Sequence, residues 1–381
     1  MDKKTNQWGI LNEFFSDVNV NFPKKPKLAN GISVYAAPKG LGVQFRGGSE
    51  KLVIKGEKSA VIWTFLTECM TGNNTLEDIL RKTGDYNVDR FEVATFLKTL
   101  HCYHLLSTEN TIETSDVNYH FDLYSAKQKK FYDRVIGYSG RNKNGIEAMD
   151  RIRDSKVLVI TNTTLLPLIS YNMNLAGFQN LGFLCISGNE SDDMLDYVEN
   201  INILTYQDIT NLKGEALRDL LNVKMDDYQY VLTIVDNPNI HFLGEVSRFC
   251  SLKNRPMLNI SIAENSYEIG PFFFPNSETA CISCYHLRKQ SYDNNSLYDF
   301  LYQNNLEENE LKCDDEIKGF DIQAFCSILN FAILQLKYSI AKITKPIYIN
   351  QCVKLNALNY DIAKEDVIQV PGCPSCSIHN N

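Results

Sequence analysis

Long apolar runs are missing from this sequence. No stretch approaches the ~18 consecutive apolar residues that a membrane-spanning helix needs. The opening MDKKTNQWGILNEFF lacks the apolar core of a secretion signal. No membrane partner is expected, therefore, and a cytoplasmic protein is. An excess of positive charge is missing too: 38 Lys and Arg against 46 Asp and Glu leave a net charge of −8. Generic nucleic-acid affinity comes mostly from neutralising phosphates, so no nucleic-acid partner is expected either. No internal repeat is found. What remains is ordinary globular composition, 44% apolar and 22% charged over 381 residues. That is enough for two or three domains with a real core, and it excludes a wholly disordered chain.

Cysteine is plentiful, at 11 residues. An odd count in a chain read as cytoplasmic does not describe a disulfide framework. Seven are scattered (Cys69, Cys102, Cys185, Cys250, Cys313, Cys326 and Cys352), as small core residues are. The other four form two pairs, Cys281-x-x-Cys284 and Cys373-x-x-Cys376. Each pair can grip one side of a tetrahedral metal, and together they leave no open position. That points to a structural zinc. Two unrelated turns, or a redox pair, are the competing readings; a redox pair would follow a βαβ strand and precede a helix, and Pro374 inside the second pair does not suit it.

Residues 1–27 read as a loose lead-in, with Pro23 and Pro26 flanking lysines. From Gly31, ISVYAA, GVQFRG and KLVIKG are short β-rich segments separated by turn residues, a three-stranded meander. Three helices are expected after them. The first carries Val61, Phe65 and Met70 on one face and stops at Gly72. The second is capped by Thr75, with Asp78 three residues on. The third starts at Asn87, with Phe91, Ala94, Leu97 and Leu100 on one face. Residues 28–107 thus read as a winged-helix domain, and the polar stretch 108–128 as a linker.

Residues 129–381 read as a second, α/β domain. A helix over 143–153 leads to SKVLVIT, a buried strand; TTLLPLISYNMNLAGF follows as a helix. LGFLCIS, NINILTY, YQYVLTIVD and RPMLNISI are further strands, with HFLGEVSRFCSLKN a helix between the last two. Strands alternating with helices imply a mostly parallel, doubly wound sheet. Asp236 and Asn237 then fall at the carboxyl end of a strand, where such sheets bind ligands; a helix cap is the plainer reading of the same pair. Residues 291–319 form a polar, acidic insertion. FDIQAFCSILNFAILQLKYSIAK, capped by Asp321, is a helix apolar nearly all round, suited to burial or to a dimer interface. NQCVKLNALNY is strand-like.

Asp236-Asn237 after the fourth strand, GPFFFPNSETACISC and PGCPSC together resemble the ThiF/MoeB superfamily of ubiquitin-activating-enzyme-like adenylyltransferases. The resemblance covers residues 125–381, and Arg134 matches the arginine that precedes the family's first strand. A winged helix ahead of this domain is similar to the peptide-modifying branch, which includes the microcin C-type adenylating enzymes and the partner proteins of YcaO cyclodehydratases. There the N-terminal module is a PqqD-like RiPP recognition element, which binds the leader of a ribosomally made precursor peptide. The residues support that role independently. An exposed edge of a three-stranded sheet can accept an extended peptide as a further strand. The candidate edge is Lys51, Leu52, Val53, Ile54 and Lys55, and the candidate groove wall is Phe91, Thr95 and Lys98. Phe91 also has a second reading, as a core residue. A DNA-reading winged helix would start its third helix with basic residues, whereas here Asp89 and Glu92 outnumber Arg90.

Glycine is missing where the family's nucleotide site needs it. Glycines after the first strand let the backbone approach phosphates at a helix N-terminus. The chain has VITNTTLLPLIS there, with Thr161, Thr163, Thr164 and Leu166 at the aligned positions. Side chains at those positions fill the space of the phosphates. The ribose-holding acid falls near Cys185, and the next segment, SGNESDDMLDYVEN, is acidic where basic residues are expected. Asp236 and Arg134 are thus vestiges, and ATP is not expected in this chain. The resemblance then implies a catalytically silent, dimeric partner of a YcaO-type, ATP-dependent cyclodehydratase in bacteriocin-like peptide biosynthesis. It would capture the precursor leader while the partner makes thiazoline or oxazoline rings. The alternatives are an active enzyme of the microcin C or pantocin type, adenylating a peptide carboxylate, and a pure scaffold.

Overall fold

The computed structural model describes residues 22–29, 31–38, 41–47, 51–107, 122–135, 142, 145–161, 165–185, 203–208, 214–236, 240–263, 266–292 and 320–377. Its contacts divide the chain into two units, Met1–Arg151 with Ala341–Thr344, and Ile152–Ile340 with Lys345–Asn381.

In the first unit, β1 (Lys27–Leu28) is followed by β2 (Ser33–Ala37), β3 (Gly42–Arg46) and β4 (Leu52–Ile54). The last three form an antiparallel sheet with β3 in the middle. Helices α1 (Glu57–Cys69), α2 (Leu76–Lys82) and α3 (Arg90–Cys102) follow, and β5 (Leu106–Ser107) returns to pair with β1. The three strands and three helices expected over 31–106 are all there.

Local chemistry explains the boundaries. Thr75 and Asp78 form a reciprocal capping box, and the hydrogen bonds from Thr75 hold the Asp78 carboxyl below the usual carboxylate range. Asp89, not Asn87, caps α3, accepting hydrogen bonds from the N–H groups of Phe91 and Glu92, each at 2.9 Å. Asn87 sits in the preceding turn with φ of 51°.

On each of two helices one expected core residue is exposed, while the others, Phe65 and Met70 and then Ala94, Leu97 and Leu100, are buried. Val61 is exposed, and Ile62, Phe65, Leu66 and Cys69 face the core. Phe91 is 53% exposed, while Val93, Ala94, Phe96, Leu97 and Leu100 are buried. Val61 and Ile62 are equally apolar neighbours, so periodicity alone does not choose between them. Phe91 lies in the first turn of its helix, ahead of the stretch that packs. The core centres on Phe45 of β3, whose ring meets Trp63 edge-on at 5.0 Å and Phe96 at 6.1 Å. Helix α4 (Asp122–Val135) begins inside the polar stretch read as a linker, whose strong helix formers outweigh its weak periodicity.

The second unit is built on one eight-stranded sheet, in the order β13-β12-β11-β10-β9-β6-β7-β8. Helix α5 (Gly145–Asp154) leads into β6 (Lys156–Thr161). Then come α6 (Leu166–Leu175), β7 (Asn180–Cys185), β8 (Ile203–Asp208), α7 (Gly214–Asp227), β9 (Tyr230–Asp236), α8 (Ile240–Leu252) and β10 (Met257–Ala263). Strands β8, β7, β6, β9 and β10 are parallel. The expected mostly parallel arrangement runs as far as β10. There β11 (Ser266–Phe273) turns back antiparallel, and β12 (Gln351–Asn356) and β13 (Ile362–Asp366) continue antiparallel. Between β11 and β12 lie α9 (Ile282–Tyr292) and α10 (Ile322–Ile340). Residues 293–319, most of the expected insertion, are outside the described residues. Among the described residues, no helix is long and apolar enough to cross a membrane.

Helix α10 is not buried all round. Phe325, Ile328, Leu329, Ala332, Ile333 and Leu336 are covered, whereas Ile322 and Phe331 are exposed by 52% and 48%. Asp321 caps it, its carboxylate accepting from the Ala324 N–H at 2.7 Å. One close approach in the sheet is testable. A Cβ added at Gly182 of β7 would run into the hydroxyl and ring of Tyr228, which is 1% exposed. Gly182→Ala should therefore destabilise the second unit by about 1–3 kcal/mol, the usual cost of overpacking. Urea titration checks this, and an unchanged midpoint would refute it.

Candidate functional site

The four paired cysteines meet at one point. All are buried, and their sulfurs lie within 4.8 Å of one another. The Sγ–Sγ separations are 3.8 Å for Cys281–Cys284, 3.6 Å for Cys281–Cys373 and 3.5 Å for Cys284–Cys376. A tetrahedral site with metal–sulfur bonds of about 2.3 Å requires roughly 3.8 Å between sulfurs. A disulfide requires about 2.05 Å, so the cluster fits a metal and not cross-links. Its charge balance points the same way. With no cation present, hydrogen bonding to Cys284 raises the pKa of the Cys281 thiol. Cys284, bonded to Cys281 and also to the Val370 N–H at 3.3 Å, falls to about 7. Four sulfurs this close cannot all ionise unless a cation offsets their repulsion.

The setting of the cluster shows what sequence reading missed. Both pairs read Cys-x-Ser-Cys, and the two serines are buried against each other. Ser283 and Ser375 lie 2.7 Å apart through their hydroxyls, and Ser375 donates to the Gly244 carbonyl of α8 at 2.9 Å. The repeated serine was visible in the sequence as a signal. Nearby, Tyr285 donates to the buried Glu268 carboxylate at 3.2 Å, and the ammonium groups of Lys354 and Lys289 lie at 3.5 and 3.7 Å from it. This bracket fixes α9 against β11.

At the carboxyl end of β6 the described residues on both sides of the turn are buried. Thr161 is fully buried, paired on either side with Cys185 and Ile234. Leu165 and Leu166, at the start of α6, are also 0% exposed, and no side chain caps that helix. Both leucines pack into the core of the second unit. Thr163 and Thr164, the 186–200 segment, Asn237 and the side chain of Asp236 lie outside the described residues. Asp236 itself ends β9, in register with Ile262. Arg134 ends α4 in the first unit, where its stem packs on Gly31 and its guanidinium lies 5.8 Å from the Phe131 ring.

Comparison with known proteins places these sites in a context. No family model matches the chain, and no curated protein does. Solved structures do. Escherichia coli MccB, crystallised with AMPCPP and MccA, aligns over 92% of this chain and 99% of its own, with a TM-score of 0.62 and 15% identity. The fold is the MccB fold. The microcin C7 biosynthetic enzyme MccB in complex with N-formylated MccA aligns over the same shares, with a TM-score of 0.59 and 14% identity. The heterocyclase TruD aligns with a TM-score of 0.56 and 13% identity, over 93% of this chain and 43% of the larger protein. At these identities the likeness is one of architecture.

The third candidate site is the edge of the first unit's sheet. Among the described residues β4 pairs only with β3. Leu52 is buried and Ile54 half-buried on the inner face, whereas Lys51, Val53 and Lys55 are exposed on the other. On α3, Phe91 and Thr95 are exposed and Lys98 is half-buried. The start of α3 is tied to the start of α1 by Lys58 and Glu92, 2.8 Å apart. A cavity of about 450 Å³ opens beside that ion pair, lined by Val61, Val88 and Asp89 among others.

Proposed function

We propose that this chain binds the leader of a ribosomally made precursor peptide and presents its core to a separate modifying enzyme. In this reading the first unit is a winged-helix, PqqD-like recognition element. The second is a ThiF/MoeB-like domain that no longer uses nucleotide. The leader adds to β4 as a strand along Lys51–Lys55, with Phe91, Thr95 and Lys98 as the groove wall. The partner is a YcaO-type cyclodehydratase. That enzyme uses ATP to activate a backbone amide, on which a Cys, Ser or Thr side chain closes to give an azoline. MccB structures holding MccA, and the likeness to the heterocyclase TruD, support a peptide-modifying role. A homodimer through α10, where Phe331 is exposed, belongs to the same reading.

The observation that carries the silent-partner reading is the stretch from Thr161 to Leu166, which holds no glycine where a phosphate cradle needs close backbone approach. Thr161, Leu165 and Leu166, the described residues of that stretch, are each 0% exposed. Without that cradle the chain lacks the positioning and charge stabilisation that drive adenylyl transfer. The purified protein should show no ATP–pyrophosphate exchange above background, with or without peptide. Exchange at an enzymatic rate would replace this reading with the second one, an adenylating enzyme of the microcin C type. The extent of the MccB likeness favours that second reading.

For the cysteine centre, zinc is the ion of choice: four thiolates in a tetrahedron select zinc or iron, and zinc is the usual occupant of closed structural sites. Cys281, Cys284, Cys373 and Cys376 would hold it, and it would supply cohesion and no chemistry.

A further inference from the structure

Among the described residues, no acidic side chain pairs with the basic ones on the face of β4 turned away from the helices. Within a chain of net charge −8, residues 22–58 hold eight Lys or Arg and two Glu, a net charge of +6. Part of that charge is concentrated on the outer face of the small sheet. The ladder pairs Tyr35 with Gln44 and Gln44 with Val53, so Lys51 and Lys55 flank Val53 on one face, four residues apart. Arg46 and Lys51 lie just beyond the Phe45–Leu52 pair, at the same end of the ladder. Arg46 donates to the Gln44 side-chain oxygen at 3.0 Å, a neutral partner.

An added strand would put its own side chains beside these lysines. We infer that the peptide taken up by β4 is an acidic one. It carries Asp or Glu at two positions four residues apart, beside Lys51 and Lys55, and an apolar residue midway, over Val53. The alternate positions turn inward beside Leu52 and Ile54 and are apolar. Val53, 43% exposed, gives the midway residue its contact. The inference rests on strand addition at β4 and names the class of peptide that this edge selects. Nucleic acid is the rival ligand for a basic patch. The start of α3, with Asp89 and Glu92, argues against it, because a winged helix meets a duplex with that helix.

The test is selection from a display library of random twelve-residue peptides on the full chain at low salt. Enriched peptides are synthesised and measured by fluorescence anisotropy. Enrichment of Asp or Glu with a spacing of four is expected, with affinity falling at least tenfold in Lys51→Glu/Lys55→Glu. Selection on that variant should return Lys or Arg at the same two positions. Hydrogen exchange on the wild-type complex should slow at residues 51–55. Slowed exchange with binding indifferent to the charge reversal would overturn the acidic inference and leave strand addition standing. Binding without slowed exchange there would overturn both. Failure to enrich any peptide, or tighter binding of a 30-base-pair duplex than of any enriched peptide, also overturns the inference.

Discussion

Cys373→Ser should cost the second unit its metal and much of its thermal resistance. The substitution removes one of four sulfurs from a buried cluster in which each sulfur lies within 4.8 Å of the others. It leaves the remaining thiolates with a mismatched cation, or with none. Removing one partner from a buried charged group typically costs about 3–5 kcal/mol. At about 2–4 °C per kcal/mol for a unit of this size, the melting temperature should fall by roughly 6–20 °C. The damage should stay local, because the cluster sits in the core with Ala280, Ile282 and Cys352 of its own unit. Calorimetry with metal analysis checks this, and prolonged chelation of the wild-type protein should reproduce the shift. A wild-type protein with no bound metal, or a variant melting at the wild-type temperature, would remove the metal centre from this account.

Phe45→Ala should do the converse. Phe45 is fully buried at the middle strand of the small sheet, held between Trp63 and Phe96. Phe→Ala in a core costs about 3–5 kcal/mol. The first unit is small, and domains are rarely stable by more than about 5–15 kcal/mol in total. The melting transition of the first unit should therefore fall well below its wild-type temperature, and peptide binding should weaken with it on warming, while the transition of the second unit remains. Phe91→Ala is the control, since Phe91 is 53% exposed and its removal should change stability by no more than about 0.5 kcal/mol. If both variants melt alike, the core of the first unit does not lie where Phe45 places it.

These contrasts mark how far the sequence can be read. Where side-chain chemistry acts locally, the reading holds: the Thr75–Asp78 box is formed, and the Val-, Leu- and Ile-rich runs at 156–161 and 257–263 are strands of the sheet. The cysteine pairs meet as their spacing suggests, since the motif carries its own geometry. Strand β11 was not legible, because Gly270 and Pro271 interrupt it and such residues usually mark a strand's end. The ladder accommodates them with a register shift opposite, between Leu258 and Ile260. Strand β13, Ile-Ala-Lys-Glu-Asp, has no apolar alternation, and only its pairing with β12 makes it a strand. Helix α7 was legible and passed over, as Leu221 and Met225 stand four apart and both are buried. At the end of β6 the lack of glycine was visible, but the burial of Leu165 emerges only from the packing of α6.

The two described helices between β11 and β12, α9 and α10, have different anchors. Helix α9 is held by the cysteine centre and by the Tyr285–Glu268 bond, and α10 by its buried face and the Asp321 cap. Local opening of one helix therefore need not carry the other with it, and amide exchange should resolve the two as separate events.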